Sequence, residues 1–338
     1  MSEIHALAAR QAGAKLEPFS YDPGPLGDEQ VEIEVLYCGI CHSDYSMLNN
    51  EFGLSQYPFV PGHEAIGRIV AVGRDAKFVE VGQTVGVGWY SGSCLHCYQC
   101  LTGDHNMCAT AEMTMLGRHG AYATRMRCHW IWAIPIPKGV DIAKAGPLLC
   151  GGITVFNPLV QFDVRPTDRV GVIGIGGLGH LALQFMNKWG CHVTAFTTSV
   201  SKADEAKKMG AHAVLNTRSS EELSKSAGSF NFIVSTIAAS DLDVNAYISA
   251  LAPKGRFHVV GVVPELKVGL FPLLFAQRSV SSSPAGPPAV IATMMDFCAR
   301  HNIAPVTEEF PMSKANDALA HLEAGKARYR IVLKNDLQ

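Results

Sequence analysis

Gly174-Ile175-Gly176-Gly177-Leu178-Gly179 follows the apolar run Arg169-Val170-Gly171-Val172-Ile173 and leads into His180-Leu181-Ala182-Leu183. A strand, a glycine turn and a helix in that order form a nucleotide-binding signature with a physical basis. Gly174 permits the tight turn, Gly176 lets the backbone approach a pyrophosphate, and Gly179 lets helix and strand pack closely. Gly177 and Leu178 open the helix, whose N-terminus offers free N–H groups and partial positive charge to an anion. A purely structural turn is the competing reading. The strand before it and the helix expected over residues 177–189 favour a dinucleotide.

The rhythm around this stretch extends the reading. Strands are expected at residues 192–197, 232–236, 257–260 and 280–283, with a helix at 201–209 ended by Gly210. Strands alternating with helices make a doubly wound parallel sheet, an α/β fold. Upstream the pattern changes. Val31, Ile33 and Val35 alternate with Glu32 and Glu34, the period of a half-buried strand. Further strands are expected at 65–72 and 84–87, bounded by Gly67, Gly73, Gly82 and Gly88. The last fifty residues read as helices at 288–301 and 313–325 and a strand at 329–333. The chain is therefore expected to hold a first domain of residues 1–150 and 287–338, interrupted by a nucleotide domain of residues 151–286.

The end of the second nucleotide-domain strand decides which dinucleotide binds. A binder of the unphosphorylated cofactor places an acid there for the ribose 2′-OH. No acid occurs between Asp168 and Asp204; Thr197-Thr198-Ser199 takes the place, with Lys202 beyond. Hydroxyls and an ammonium suit a 2′-phosphate, so NADPH is expected. The alternative is that Ser199 or Ser201 only caps the next helix.

Composition narrows the class. The 338 residues are 48% hydrophobic and 17% charged, enough for two cores and too apolar for a disordered chain. A formal net charge of −2 argues against a duplex-binding surface. No apolar run approaches the roughly 18 residues of a membrane span, and the first residues lack a signal-peptide core, so a cytoplasmic enzyme is expected. Ten cysteines are present, and Cys94, Cys97, Cys100 and Cys108 fall within fifteen residues. Clustering of this kind reads as metal rather than disulfide. Four thiolates close a tetrahedron around zinc and leave no place for water, a structural site. His96 or His105 replacing one thiolate is the variant reading. Cys38, Cys128, Cys191 and Cys298 are read as packing residues.

A second set comprises Cys41-His42-Ser43-Asp44, then Gly62-His63-Glu64 and, far downstream, Cys150. Two thiolates and an imidazole can hold zinc with the fourth position open to a substrate oxygen. Spacing alone does not join these residues.

Taken together, the motifs resemble the zinc-dependent medium-chain alcohol dehydrogenases over essentially the whole chain. Gly62-His63-Glu64-Ala65-Ile66-Gly67, the four-cysteine loop and the glycine turn stand in that family's order. Residues 37–44, 146–155 and Ala327-Arg328-Tyr329-Arg330 resemble its cinnamyl-alcohol-dehydrogenase-type branch, in particular bacterial NADPH-dependent aldehyde reductases. The resemblance implies a mostly-β, GroES-like catalytic domain beside a Rossmann domain, and two zinc ions per chain. It implies that Cys41, His63 and Cys150 hold the catalytic zinc, with Glu64 able to approach it. Asp44 is expected to orient His63, Ser43 to start a proton relay from the substrate oxygen, and His42 to lie near the cofactor phosphates. Thr154 is expected at the nicotinamide end and Arg330 at the pyrophosphate. Trp89 is expected to wall the substrate pocket, with core packing as its alternative. Where plant members often carry a relay histidine, this chain has Ser46, also placed at the pocket.

The implied reaction is hydride transfer between NADPH and an aldehyde, aromatic or medium-chain aliphatic, giving a primary alcohol. Rival readings are a polyol or secondary-alcohol dehydrogenase and, outside enzymes, a zinc-stabilised nucleotide sensor or nucleic-acid-binding relative. No nucleic-acid or membrane partner is expected. A homodimer or homotetramer is implied, paired along the strand near residues 280–283.

Overall fold

Residues 3–238 and 242–338 are described by a computed structural model of the chain. Its contacts fall into two units, one from Thr154 to Pro284 and the other from the chain before and after it. Among the described residues, no helix is long and apolar enough to cross a membrane.

Within the Thr154–Pro284 unit, six parallel strands lie in the order Ala213–Asn216, His192–Thr197, Arg169–Ile173, Phe230–Ser235, Leu251–Val259, Ser279–Ser282. Central strands such as Phe230–Ser235 are apolar on both faces, as a sheet covered on both sides requires. The order reverses between Arg169–Ile173 and Phe230–Ser235, the switch point where doubly wound sheets bind ligands. The helix Gly179–Trp189 buries Leu181, Leu183, Phe185 and Met186 and stops at Gly190 in the left-handed region.

Three expectations are corrected here. The helix expected at 201–209 is a 3-10 turn, Val200–Lys202, followed by the short helix Ala203–Lys208. Lys202 stands at its N-cap and no side chain caps it, so neither Ser199 nor Ser201 has the capping role. The strand Ala213–Asn216 was not anticipated at all.

The other unit is built on a mixed seven-stranded sheet whose longest strand is Gln30–Ile40. That strand pairs antiparallel with Ala65–Val72 on one side and with Arg125–His129 and Arg330–Lys334 on the other. Being central, it departs from the half-exposed strand its alternation suggested. Glu32 is buried and accepts from Arg125 Nη1 at 3.1 Å and Arg127 Nε at 2.8 Å. Ile33, Val35, Ile69, Val85, Met126 and Leu333 fill the core beside it.

Candidate active site

The strand Gln30–Ile40 delivers Cys41, which sits at the N-cap of the helix His42–Leu48. Asp44, fully buried in that helix, ties two segments together. Its Oδ2 accepts the Cys41 N–H at 2.8 Å. Its Oδ1 accepts the Gly62 N–H at 2.9 Å and lies 3.1 Å from His63 Nδ1. With Nδ1 held on the carboxylate, Nε2 is turned to the sulfurs, 3.2 Å from Cys150 Sγ. Cys150 Sγ is 3.7 Å from Cys41 Sγ. One ligand atom each from Cys41, His63, Glu64 and Cys150 lies within 4.8 Å of all the others.

The donor set fits zinc. Tetrahedral ligation at about 2.3 Å places two sulfurs about 3.8 Å apart, close to the separation found. The protonation balance also suits a cation. The contact with Cys150 holds the Cys41 thiol well below its ordinary range and pushes Cys150 well above it, so the pair shares one proton. A divalent ion displaces that proton. Burial lowers the His63 pKa, but Asp44 and Cys41 together outweigh it, and the net direction is upward.

Glu64 is buried beside this set, and its Oε1 accepts from the Arg330 guanidinium. Burial raises the Glu64 carboxyl, against the opposing pull of Arg330, to about 7. Its Oε2 is buried with no hydrogen-bond partner. Arg330, expected at a pyrophosphate, is itself buried, with Nη2 also donating to Ile40 O at 3.1 Å. A carboxylate this deep needs a cation, and sequence reading missed the partner because 266 positions separate the two.

Trp89 packs edge-on against His63, with ring centroids 4.9 Å apart. Ser43 Oγ is 3.7 Å from Cys41 Sγ. His42 is exposed, its ring near Tyr45, and Ser46 is buried.

The four-cysteine loop forms a separate cluster, with the sulfurs of Cys94, Cys97, Cys100 and Cys108 within 4.8 Å of one another. Cys94 Sγ and Cys100 Sγ are 4.0 Å apart, again near a zinc tetrahedron's edge. Backbone N–H groups of His96 and Cys97 hold the Cys94 thiol below its ordinary range. Both neighbouring histidines are engaged elsewhere: His96 Nδ1 on Cys94 O at 2.7 Å, His105 Nδ1 on Ser93 Oγ at 3.3 Å.

At the glycine turn, Gly174 has φ +85°, and a Cβ on Gly179 would stand 1.8 Å from Gly174 O. Only glycine fits either place. A Cβ on Gly176 would meet no protein atom within 4 Å, so the backbone there is open to a ligand. The helix begins at Gly179, leaving Gly177 in the turn and Leu178 at the N-cap. The Thr236 hydroxyl donates to Gly174 O at 2.8 Å and braces the turn across the switch point. Thr154 is half-buried in the helix Gly151–Gln161. Past the second strand, Thr197 Oγ1 accepts the Ser199 N–H at 3.1 Å and lies 3.3 Å from Ser199 O, so this hydroxyl is used within the turn. Ser199 and Ser201 hydroxyls are 2.8 Å apart. Thr198 is exposed and Lys202 half-buried.

The chain belongs to the zinc-binding alcohol dehydrogenase family, and it is an oxidoreductase of that class. Residues 27–138 match the alcohol dehydrogenase GroES-like domain and residues 177–300 the zinc-binding dehydrogenase domain. It is 56% identical to the aldehyde reductase AdhA of Synechocystis sp., covering 98% of this chain and 99% of that one. A cinnamyl alcohol dehydrogenase structure from Sorghum bicolor superposes with a TM-score of 0.93 at 32% identity, over 98% of each chain. The cinnamyl alcohol dehydrogenase of Helicobacter pylori, solved with NADP(H), gives 0.88 at 28% identity, also over 98% of each.

Proposed function

We propose that this zinc-dependent enzyme reduces aldehydes, aromatic or medium-chain aliphatic, to primary alcohols with NADPH, and runs the reverse oxidation with the same parts. The observation that carries the reading is the Cys41–His63–Cys150 set, with Cys41 and His63 buried, Cys150 half-buried and Asp44 joining two of its segments. When bound, zinc supplies a Lewis acid for the carbonyl oxygen and the dinucleotide supplies the hydride.

The protein's own groups do the rest. Cys41, His63 and Cys150 hold the catalytic ion, and Glu64 stands close enough to approach it. Asp44 fixes the His63 tautomer so that Nε2 stays a ligand. The Ser43 hydroxyl passes a proton to the substrate oxygen, and onward transfer to solvent runs through the cofactor ribose, His42 or ordered water. Trp89 keeps water from the His63 side of the pocket. Cys94, Cys97, Cys100 and Cys108 hold a second, structural zinc. The Thr154–Pro284 unit takes the dinucleotide, its pyrophosphate on Gly174–Gly179 and its 2′-phosphate near Thr198, Ser199 and Lys202, with Thr197 shaping the turn. All ten cysteines are unpaired, which supports a reducing, cytoplasmic setting.

Cofactor choice tests the reading cheaply. With one good aldehyde at fixed pH and salt, kcat/KM is expected to favour NADPH over NADH by roughly tenfold to several hundredfold, the scale of one or two charge-assisted hydrogen bonds. Equal values, or a preference for NADH, would overturn the 2′-phosphate assignment.

A further inference from the structure

A 2′-phosphate monoester carries a charge of about −1.5 to −2 at neutral pH. Near the end of the strand His192–Thr197, the sequence offers it one cation, Lys202. The structure reduces the supply of hydroxyls as well, because Thr197 Oγ1 is occupied by its own turn. The charge therefore calls for a second cation from outside this segment.

The neighbouring edge strand provides one. Ala213–Asn216 runs parallel to His192–Thr197 with Asn216 in register with Thr197. The pairing continues one step further, the Thr217 N–H donating to Thr197 O at 2.9 Å. Arg218 is next in the chain, so its backbone starts just past the ends of both strands. Its N–H is held by Asn216 Oδ1 at 3.0 Å, which fixes the turn. Its side chain is exposed, and its guanidinium has no acid or carbonyl partner among the described residues. The acids of the following helix are otherwise engaged: Glu222 Oε2 accepts the Asn216 N–H at 2.9 Å, and Glu221 pairs with Lys225 at 2.7 Å. An arginine left unpaired there has the fork geometry that grips phosphate oxygens two at a time.

We propose that Arg218 is a specificity-determining residue, closing on the cofactor's 2′-phosphate together with Lys202. This rests on the NADPH reading above, and the test separates the two. The probes are 2′,5′-ADP and 5′-AMP, which differ by that phosphate alone, titrated calorimetrically into the zinc-loaded enzyme at two salt concentrations. The parent is expected to bind 2′,5′-ADP more tightly. Arg218→Met is expected to weaken 2′,5′-ADP about tenfold, to flatten its salt dependence, and to leave 5′-AMP within about twofold; Arg218→Lys is expected to recover part of the loss. An exposed side chain with no contacts makes both variants safe for folding. A parent that does not prefer 2′,5′-ADP overturns the NADPH reading and this inference with it. A parent preference that Arg218→Met leaves intact overturns the role of Arg218 alone, as does equal weakening of both probes.

Discussion

Asp44 shows how much one side chain can organise. Its two oxygens accept from Cys41 N, Gly62 N and the His63 ring, three donors that a neutral amide cannot all serve. Asp44→Asn keeps the shape, turns an NH2 group toward at least one of those donors, and removes the charge that fixes the imidazole. Loss of such a partner typically costs about 10–100-fold in metal affinity or activity, and that range is expected here, read as zinc retained after dialysis against a weak chelator together with kcat/KM. Full zinc retention and unchanged turnover would mean that Asp44 is only a packing group. The residue scale is also where the sequence was least informative about the site. Cys41 and Cys150 lie 109 positions apart, and no spacing rule joins them; family resemblance did. The Arg330–Glu64 pair had no signal except that a buried carboxylate must meet a cation.

Among elements, legibility followed contrast. Ala65–Val72 and Pro288–His301 were read to the residue, because glycines or a helix-starting proline bound them and their apolar spacing is strong. Ala213–Asn216 escaped because it is a four-residue, half-buried edge strand whose apolar run, Ala213-Val214-Leu215, is too short to mark it. Leu251–Val259 was read only from Phe257 onward. Pro253-Lys254-Gly255 looks like a turn, and the structure absorbs it as a bulge: the register jumps from Phe230–Leu251 to Phe232–Arg256, with Lys254 at φ +64°. The four-cysteine loop was legible from spacing because its ligands are local, and it has little else to hold it. Its helix, Tyr98–Leu101, spans four residues and carries no side-chain cap, while Tyr98 and Leu101 point to solvent. With the proposed structural zinc bound, metal-linked folding energy would dominate this element. Cys97→Ser is expected to lower zinc from two ions per chain to one and to reduce the melting temperature by several degrees, whereas Cys41→Ser should lose activity with the fold retained. A Cys97→Ser protein as stable as the parent would refute the structural role.

For the whole molecule, the open edge of the parallel sheet matters most. Among the described residues, Ser279–Ser282 pairs on one side only, with Leu251–Val259. Nearby in sequence, Phe271 and Phe275 are 69% and 82% exposed, an unusual display for a lone chain. A sheet edge left open, with exposed phenylalanines close by in the sequence, invites a second copy. Light scattering at micromolar concentration is expected to give a dimer or a tetramer; a monomer would contradict the assignment of this edge to self-association.

The pairing of Arg330–Lys334 with Gln30–Ile40 has a consequence for biosynthesis. A ribosome releases the N-terminal strands, both thiols and the imidazole long before it makes the segment that completes their sheet. Until residues near 330 emerge, the Glu64 carboxylate lacks its guanidinium and one side of the central strand lacks its neighbour. The Thr154–Pro284 unit has all its strands before that segment is made, but the sheet of the other unit waits for Arg330–Lys334. A chain cut before Arg330 is expected to keep every strand of the Thr154–Pro284 unit while losing the Glu64 counter-charge and one neighbour of the central strand in the other unit.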